Sequence, residues 1–521
     1  MPPWRGRVKL PSLVAISATS LPVNPTQRDQ NLNPLKRLAS QTAVYGVSSV
    51  LGRFLNYLLV PLYTYSFLPA DYGVVAEFYA YMGFLAVLLA FGLETGYFRF
   101  RDEAGWSPRL VFATVLRFVV LANLSFFLLA WGFQQPLAVL LRHSAHPEYI
   151  LWVAAILALD SVGAIAFARL RAEQRALRFA TVKLTEIGLN MVLNLFFILF
   201  CRRAFAADPT SWLGGLWDPA IGVGYVFLAN LVASLFKLVL LAPELRGITA
   251  GCDWGLIRRL LAYSLPMVAI GLAGIVNEML DRAALKFLLP YDVETNMAQL
   301  GIYGAVYKLS ILMSLFIQAF RYAGEPFFFA YAHQADARQL YALVLKWFLI
   351  LCVFIFLLVS LYLDIFQYFV GAAYREALWV VPILLLANLL LGVYVNLSIW
   401  YKLTDRTGLG AWVAIAGALV TVAALVILVP EYGYVGAAWA HLICYSFMVI
   451  VSWAMGRRFY PVPYDLKRIL GYLVLGLGLY AAGRGLAVLG FPALVAGTLC
   501  LVIYLAVVYV ADGRALRRGT L

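Results

Sequence analysis

Charge is scarce in this sequence. Only 13% of its 521 residues are Asp, Glu, Lys or Arg, against about 25% in an ordinary soluble domain. That shortage excludes a chain that keeps most of its length in water. Cysteine is sparse as well. Cys201, Cys252, Cys352, Cys444 and Cys500 are scattered with no CxxC or metal-ligand spacing, which argues against a disulfide framework or a zinc site. Four of them lie in or beside apolar runs, where small packed side chains belong. Of the four histidines, His143 and His146 stand three apart but without a cysteine or carboxylate cluster beside them. No GxxxxGK[ST] loop occurs, so the chain does not itself hydrolyse ATP. Long polar connections are also missing. The largest interior ones, near 133–148 and 202–219, are too short to fold as soluble domains. Any function must therefore sit between membrane-embedded helices.

What remains is apolar. Hydrophobic residues make up 63% and aromatics 15%. A helix needs about 20 apolar residues to cross about 30 Å of hydrocarbon. Spans are expected near 42–67, 73–98, 110–132, 149–168, 182–201, 220–242, 262–288, 300–326, 342–364, 377–401, 410–429, 433–455, 469–488 and 492–511, about fourteen in all. The net charge of +14 would suit nucleic acid, but its distribution does not. Basic residues crowd every second connection: Lys36/Arg37, Arg99/Arg101/Arg109, Arg169/Arg171/Arg175/Arg178, Arg246/Arg258/Arg259, Arg338, Lys402/Arg406, Arg457/Arg458/Lys467/Arg468 and Arg514/Arg517/Arg518. The alternate connections are nearly bare. This alternation follows the positive-inside rule, places both termini in the cytoplasm and requires an even number of spans. Residues 1–38 read as a cytoplasmic, disordered tail.

Several ionisable side chains fall inside the spans, where they are costly unless they face partners or water. Arg53 lies near the middle of the first span, with Ser49, Asn56 and Tyr57 on the same helix face. The seventh span holds Asn277, Glu278, Asp281, Arg282 and Lys286; a Glu278–Arg282 pair at i,i+4 is the plain structural account. Lys308 in the eighth span either faces inward or snorkels. Asp160 is isolated in the fourth, and Arg53 is its expected partner. Arg117 and Lys237 read as snorkelling. Pro61, Pro266 and Pro382 are candidate bend points.

A weak repeat supports a two-part organisation. Leu68-Pro69 with Tyr72-Gly73 marks the first pair of spans, and Leu289-Pro290 with Tyr303-Gly304 marks the seventh and eighth. Six spans separate the copies, the pattern of two parallel six-helix halves with a site between them. The expected division is 39–245 for the first lobe, 246–460 for the second, and 461–521 for two further helices.

The opening LKRLASQTAVYGVSSVLGRFLNYLLVPLYTYSFLPADYGVVAEFYAY, then GLETGYFRF, and LDRAALKFLLP followed by LGIYGAVYKLS, resemble the bacterial polysaccharide/O-antigen transporters. These belong to the multidrug/oligosaccharidyl-lipid/polysaccharide (MOP) superfamily. The resemblance implies an all-α, V-shaped polytopic membrane protein of two six-helix lobes plus two C-terminal helices. It implies a non-enzymatic flippase in the bacterial cytoplasmic membrane, carrying undecaprenyl-diphosphate-linked oligosaccharide to the outer leaflet for O-antigen, capsule or exopolysaccharide biosynthesis. The chain lacks the opening expected of the lipid II flippase branch, and its fourteen spans exceed the twelve common in drug-exporting relatives.

A diphosphate-sugar headgroup is anionic and calls for a cavity lined by Arg or Lys with amides for sugars. Arg53, Asn56, Arg282 and Lys308 are the expected headgroup residues. Asp160, Glu278 and Asp281 are the candidate coupling carboxylates for H⁺ or Na⁺, with no other cofactor expected. Asp281-Arg282 also falls where the resemblance places a charged pair. Glu94, Arg321 and Glu325 are expected at the cytoplasmic mouth as a gate or gate ion pair. Asn190, Asn194, Gln318 and Asn396 suit either sugars or helix packing. Expected partners are the lipid-linked oligosaccharide, the bilayer, and the glycan polymerase and glycosyltransferases of the same pathway, with no nucleic acid. The competing readings are a cation-coupled small-molecule exporter of the MATE type, predicting an apolar cavity with few basic residues, and a membrane glycan polymerase or ligase, predicting a large outward loop.

Overall fold

The computed structural model describes residues 34–513 apart from 104, 247–250, 333 and 335. The expected tail at 1–38 thus lies outside the described residues, except that the first helix already begins at Pro34. Among the described residues all regular structure is helical.

Each apolar stretch of the sequence is matched by a helix or a broken helix. These are α1 (Pro34–Tyr57, then Leu59–Ser66), α2 (Pro69–Leu89, then Leu93–Phe100), α3 (Pro108–Gly132), α4 (Glu148–Ala172), α5 (Ala176–Leu195) and α6 (Gly224–Leu240). The second set comprises α7 (Trp254–Leu288), α8 (Val293–Leu309, then Ile311–Tyr331), α9 (Ala337–Leu361) and α10 (Val381–Leu397). Thr407–Phe459 is two helices, α11 and α12, divided at Gly433, whose φ of 56° is non-helical. Last come α13 (Leu466–Val488) and α14 (Ala493–Val508).

The breaks have local causes. Pro61 lacks an N–H and crowds the carbonyl of Tyr57, so α1 is interrupted at Leu58. Phe91 and Gly92 take positive φ and end the first part of α2. α8 bends by 52° at Ser310. The other two expected bend points differ. α7 runs for 35 residues through Pro266; Pro382 sits in the first turn of α10, where its missing N–H costs nothing.

α1–α6 pack among themselves, as do α7–α12, while α13 and α14 lie against α9. Asp512 fastens that last contact: it accepts from Lys346 Nζ (2.7 Å), Arg468 (2.7 Å) and Tyr472 (2.5 Å). The halves meet where α2 crosses α8 and α7 and where α1 meets the second part of α8. At the arginine-poor end they share one apolar core, which runs from Tyr57, Val75 and Phe78 to Leu285, Met297 and Val380. The two repeated motifs pack on each other there: Gly304 faces Ala76 and the Tyr72 ring.

Candidate functional site: a basic cavity between the halves

A cavity of about 910 Å³ lies between the halves. α1, α2, α5 and α6 build one wall, α7, α8, α10, α11 and α12 the other. The four headgroup residues expected from sequence, Arg53, Asn56, Arg282 and Lys308, all line it. So do Glu278, Arg321, Asn190 and Gln318. Among its lining residues the ionisable set is therefore four cations, Arg53, Arg282, Lys308 and Arg321, against the single carboxylate of Glu278. Tyrosines line both walls, Tyr57, Tyr63, Tyr72 and Tyr79 on one and Tyr307, Tyr394 and Tyr445 on the other.

Helix geometry explains how α7 serves both cavity and core. Residues four apart share a face, and neighbours lie about 100° apart. Glu278 and Arg282 face the cavity. Asn277 and Asp281 face α11 and α12: the Asn277 amide donates to the Ala414 carbonyl (3.3 Å) and accepts from Thr421 (3.0 Å). Asp281, 1% exposed, holds His441 Nε2 at 2.9 Å and the Arg282 guanidinium at 2.6 Å.

Two expectations fail here. The Glu278–Arg282 pair does not form, because Arg282 turns to Asp281 and to the Glu278 backbone carbonyl (2.5 Å) while stacking over Tyr307 at 4.5 Å. Asp281 is not left partly unpaired: both oxygens are engaged, so it leaves the set of coupling candidates. Glu278 stays in it. Among the described residues no hydrogen bond or ion pair reaches its carboxylate, and the residue is exposed to the cavity. Arg53, Lys308 and Arg321 likewise have no ion-pair partner among the described residues.

Asp160 does not meet Arg53. It accepts from Lys237 Nζ (2.6 Å) and Ser234 (2.7 Å) inside the first half. Lys237 does not snorkel; its side chain is 3% exposed and bridges Asp160 to Glu186 (2.7 Å), which Lys183 also contacts (3.0 Å). The reason is that α4, α5 and α6 turn these charges toward one another, away from lipid. Asp160 retains a 41% exposed side chain.

The expected gate ion pair among Glu94, Arg321 and Glu325 does not form among the described residues. Glu94 pairs with Arg171 and Glu325 with Lys402, each within its own half, leaving Arg321 on the cavity wall. Asn194 packs, accepting from Tyr63 (3.0 Å), and Asn396 donates to the Gly392 carbonyl.

Sequence reasoning missed Glu77, Glu186 and His441, and saw no carboxylate beside His143, which Glu77 meets at 2.8 Å. Glu77 and Glu186 carry the signal of an ionisable residue within an apolar span. His441 carries the same signal but had no visible partner.

The sequence matches the family described as Polysaccharide biosynthesis protein over residues 38–331, more than half of the chain. No curated protein matches it. Among solved structures it is similar to the lipid II flippase MurJ in an inward closed conformation, with TM-score 0.66 and 14% identity over 90% of this chain and 99% of that one. It is also similar to a multidrug resistance MATE family transporter of the MOP superfamily. The inward-facing form gives TM-score 0.59 and 16% identity over 78% and 93% of the two chains. The outward-facing form gives 0.54 and 17% over 82% and 96%. At such identities the likeness is one of fold.

Proposed function

This chain belongs to the polysaccharide biosynthesis protein family and has the fold of the MOP superfamily, and from that premise we propose that it flips undecaprenyl-diphosphate-linked oligosaccharide across the bacterial cytoplasmic membrane. The observation that carries the reading is the cavity's charge: four cations against one carboxylate, three of those cations without an ion-pair partner among the described residues. Arg53 and Arg321 are exposed to the cavity and Lys308 partly so, where an anionic ligand can supply the counter-charge they lack. A diphosphate does so, with Arg offering bidentate donors and Lys a point charge. Amides from Asn56, Asn190 and Gln318 and the tyrosine rings suit the sugars, while the prenyl tail stays in lipid.

Transport is by alternating access, the halves rocking about the cavity. The basic connections lie on the cytoplasmic side with both termini. Glu278 is the coupling carboxylate in the cavity, and half-exposed Asp160 a second candidate, for H⁺ or Na⁺. A cation-coupled small-molecule exporter of the MATE type fits less well, since it calls for an apolar cavity with few basic residues and this one is lined by four.

The test is the leaflet distribution of undecaprenyl-linked oligosaccharide after depletion of the protein, with rescue by wild type, Arg53→Ala and Arg53→Lys. We expect the completed lipid-linked glycan to build up on the cytoplasmic side, reversed by wild type, partly by Arg53→Lys and not by Arg53→Ala at equal protein level. No change in any lipid-linked glycan would overturn the reading. Unpolymerised units gathering on the outer leaflet would instead make this a polymerase or ligase.

A further inference from the structure

A buried ion pair joins the halves away from the cavity, at the arginine-poor end. Glu77, on α2, and Lys286, near the end of α7, are both 0% exposed. Lys286 Nζ donates to Glu77 Oε1 (2.7 Å) and Oε2 (2.8 Å), and it also reaches the Leu141 carbonyl (2.5 Å). His143, in the connection between α3 and α4, closes the cluster. Its Nε2 lies 2.8 Å from Glu77 Oε2 and 3.0 Å from Lys286 Nζ. The Phe78 ring covers the imidazole at 5.1 Å between centroids. Two chain segments of the first half thus grip one lysine of the second.

We propose that Glu77, Lys286 and His143 form the latch that holds this end of the transporter shut, and that protonation of His143 releases it. The proposal rests on the alternating-access reading, because the halves must part here once per cycle. His143 Nε2 faces partners with opposite demands. With Nε2 bare it accepts from Lys286; with a hydrogen on Nε2 it donates to Glu77, and only the doubly protonated ring adds a charge that opposes the ammonium. The other titratable and charged groups facing the cluster are Tyr81, beside Glu77, and Arg142, beside Lys286. Glu77 balances only one of the two charges that Lys286 and a protonated His143 carry. A proton on His143 therefore leaves the closed cluster with one buried positive charge in excess, and Arg142, exposed beside it, adds no anion. Such charge is costly where it is buried, and opening hydrates it. An acidified outer face supplies that proton and so favours opening. An exporter using an inward proton gradient needs that direction of response.

The test reads the two halves directly. Spin labels at Val139→Cys and Tyr432→Cys, both exposed at this end, are placed on a Cys252→Ser background, the other four cysteines being buried. Distances are measured in lipid nanodiscs without substrate. Glu77→Gln and Lys286→Met are expected to roughly double or more the long-distance population. Acidification from about pH 7.5 to about pH 5.5 is expected to lengthen the wild-type distances and to leave His143→Gln unmoved. Wild-type distributions in folded Glu77→Gln and Lys286→Met overturn the latch. A pH-insensitive wild type, or His143→Gln responding like it, overturns the release by His143. If the charge-removing variants fail to fold, His143→Gln, which keeps both ion-pair partners, decides through its pH response. The readout needs no substrate. A latch that behaves as expected while the leaflet experiment fails removes the flippase and keeps the gate, and the converse result removes the gate alone.

Discussion

Gly73 and Gly301 lie back to back where α2 crosses α8. A methyl on Gly73 would stand 2.1 Å from the Met297 carbonyl oxygen, and one on Gly301 would stand 1.9 Å from that of Pro69. Small residues let membrane helices approach this closely, where packing rather than water drives association. Because the obstacle on each side is backbone, no rotamer change relieves it. Gly73→Ala and Gly301→Ala are therefore expected to wedge the halves apart at this end. The expected cost is about 1–3 kcal/mol in the closed state. Thermal unfolding in detergent and the label distances described above report it together. Unchanged distances and stability in both variants would mean that the helices part without effort.

Lys237 holds two carboxylates, Asp160 and Glu186, inside the first half. Removing one partner of a buried ion pair typically costs about 3–5 kcal/mol, because the charge left behind has no compensation. Lys237→Met is expected to approach that range. Asp160→Asn should cost clearly less, since Asp160 is the more exposed member and Lys237 keeps Glu186. Chemical unfolding of the two variants side by side gives the ranking, and the opposite order would show that the cluster is anchored through Asp160.

Glu278 and Asp281 sit three residues apart on α7 yet should respond in opposite ways. Glu278→Gln breaks no hydrogen bond or ion pair of its side chain among the described residues, so stability should stay within about 0.5 kcal/mol of wild type while dependence on the driving ion is lost. Asp281→Asn weakens the hold on Arg282 and His441 together and should lower stability by about 2 kcal/mol or more. Unfolding midpoints combined with substrate flux in proteoliposomes under an imposed pH or Na⁺ gradient separate the two.

Asp253 caps α7 outside the membrane. Its carboxylate accepts from the Leu256 backbone N–H (3.0 Å) and the Trp106 indole (3.2 Å), and those donors hold it below its ordinary value of 3.8. A carboxyl depressed by folding contributes stability that is present above the unfolded value and lost as pH falls through the folded one. The difference in melting temperature between wild type and Asp253→Ala should therefore be steady near neutrality and shrink as the pH drops below about 4. A difference that persists unchanged at low pH would assign the effect to the shape of the turn rather than to the charge.

The sequence by itself determined the place of the helices, since hydrocarbon tolerates no unpaired backbone and about 20 apolar residues in a helix close their own hydrogen bonds across it. It also pointed to Arg53, Asn56, Arg282 and Lys308 as cavity residues, because ionisable side chains inside a span must face partners or water, while leaving a paired Arg282 and a snorkelling Lys308 open. Tertiary structure alone decided which charge meets which. Glu77 and Lys286 are 209 positions apart, Asp281 and His441 160, and Asp160 and Lys237 77. Such pairings depend on how each helix is rotated about its axis and which helices become neighbours. The i,i+4 rule pointed Arg282 toward Glu278, and the isolation of Asp160 pointed it toward Arg53. Packing overrode both: Asp281 on the adjacent face takes Arg282, and Lys237 on a neighbouring helix takes Asp160, leaving Arg53 without an ion-pair partner among the described residues.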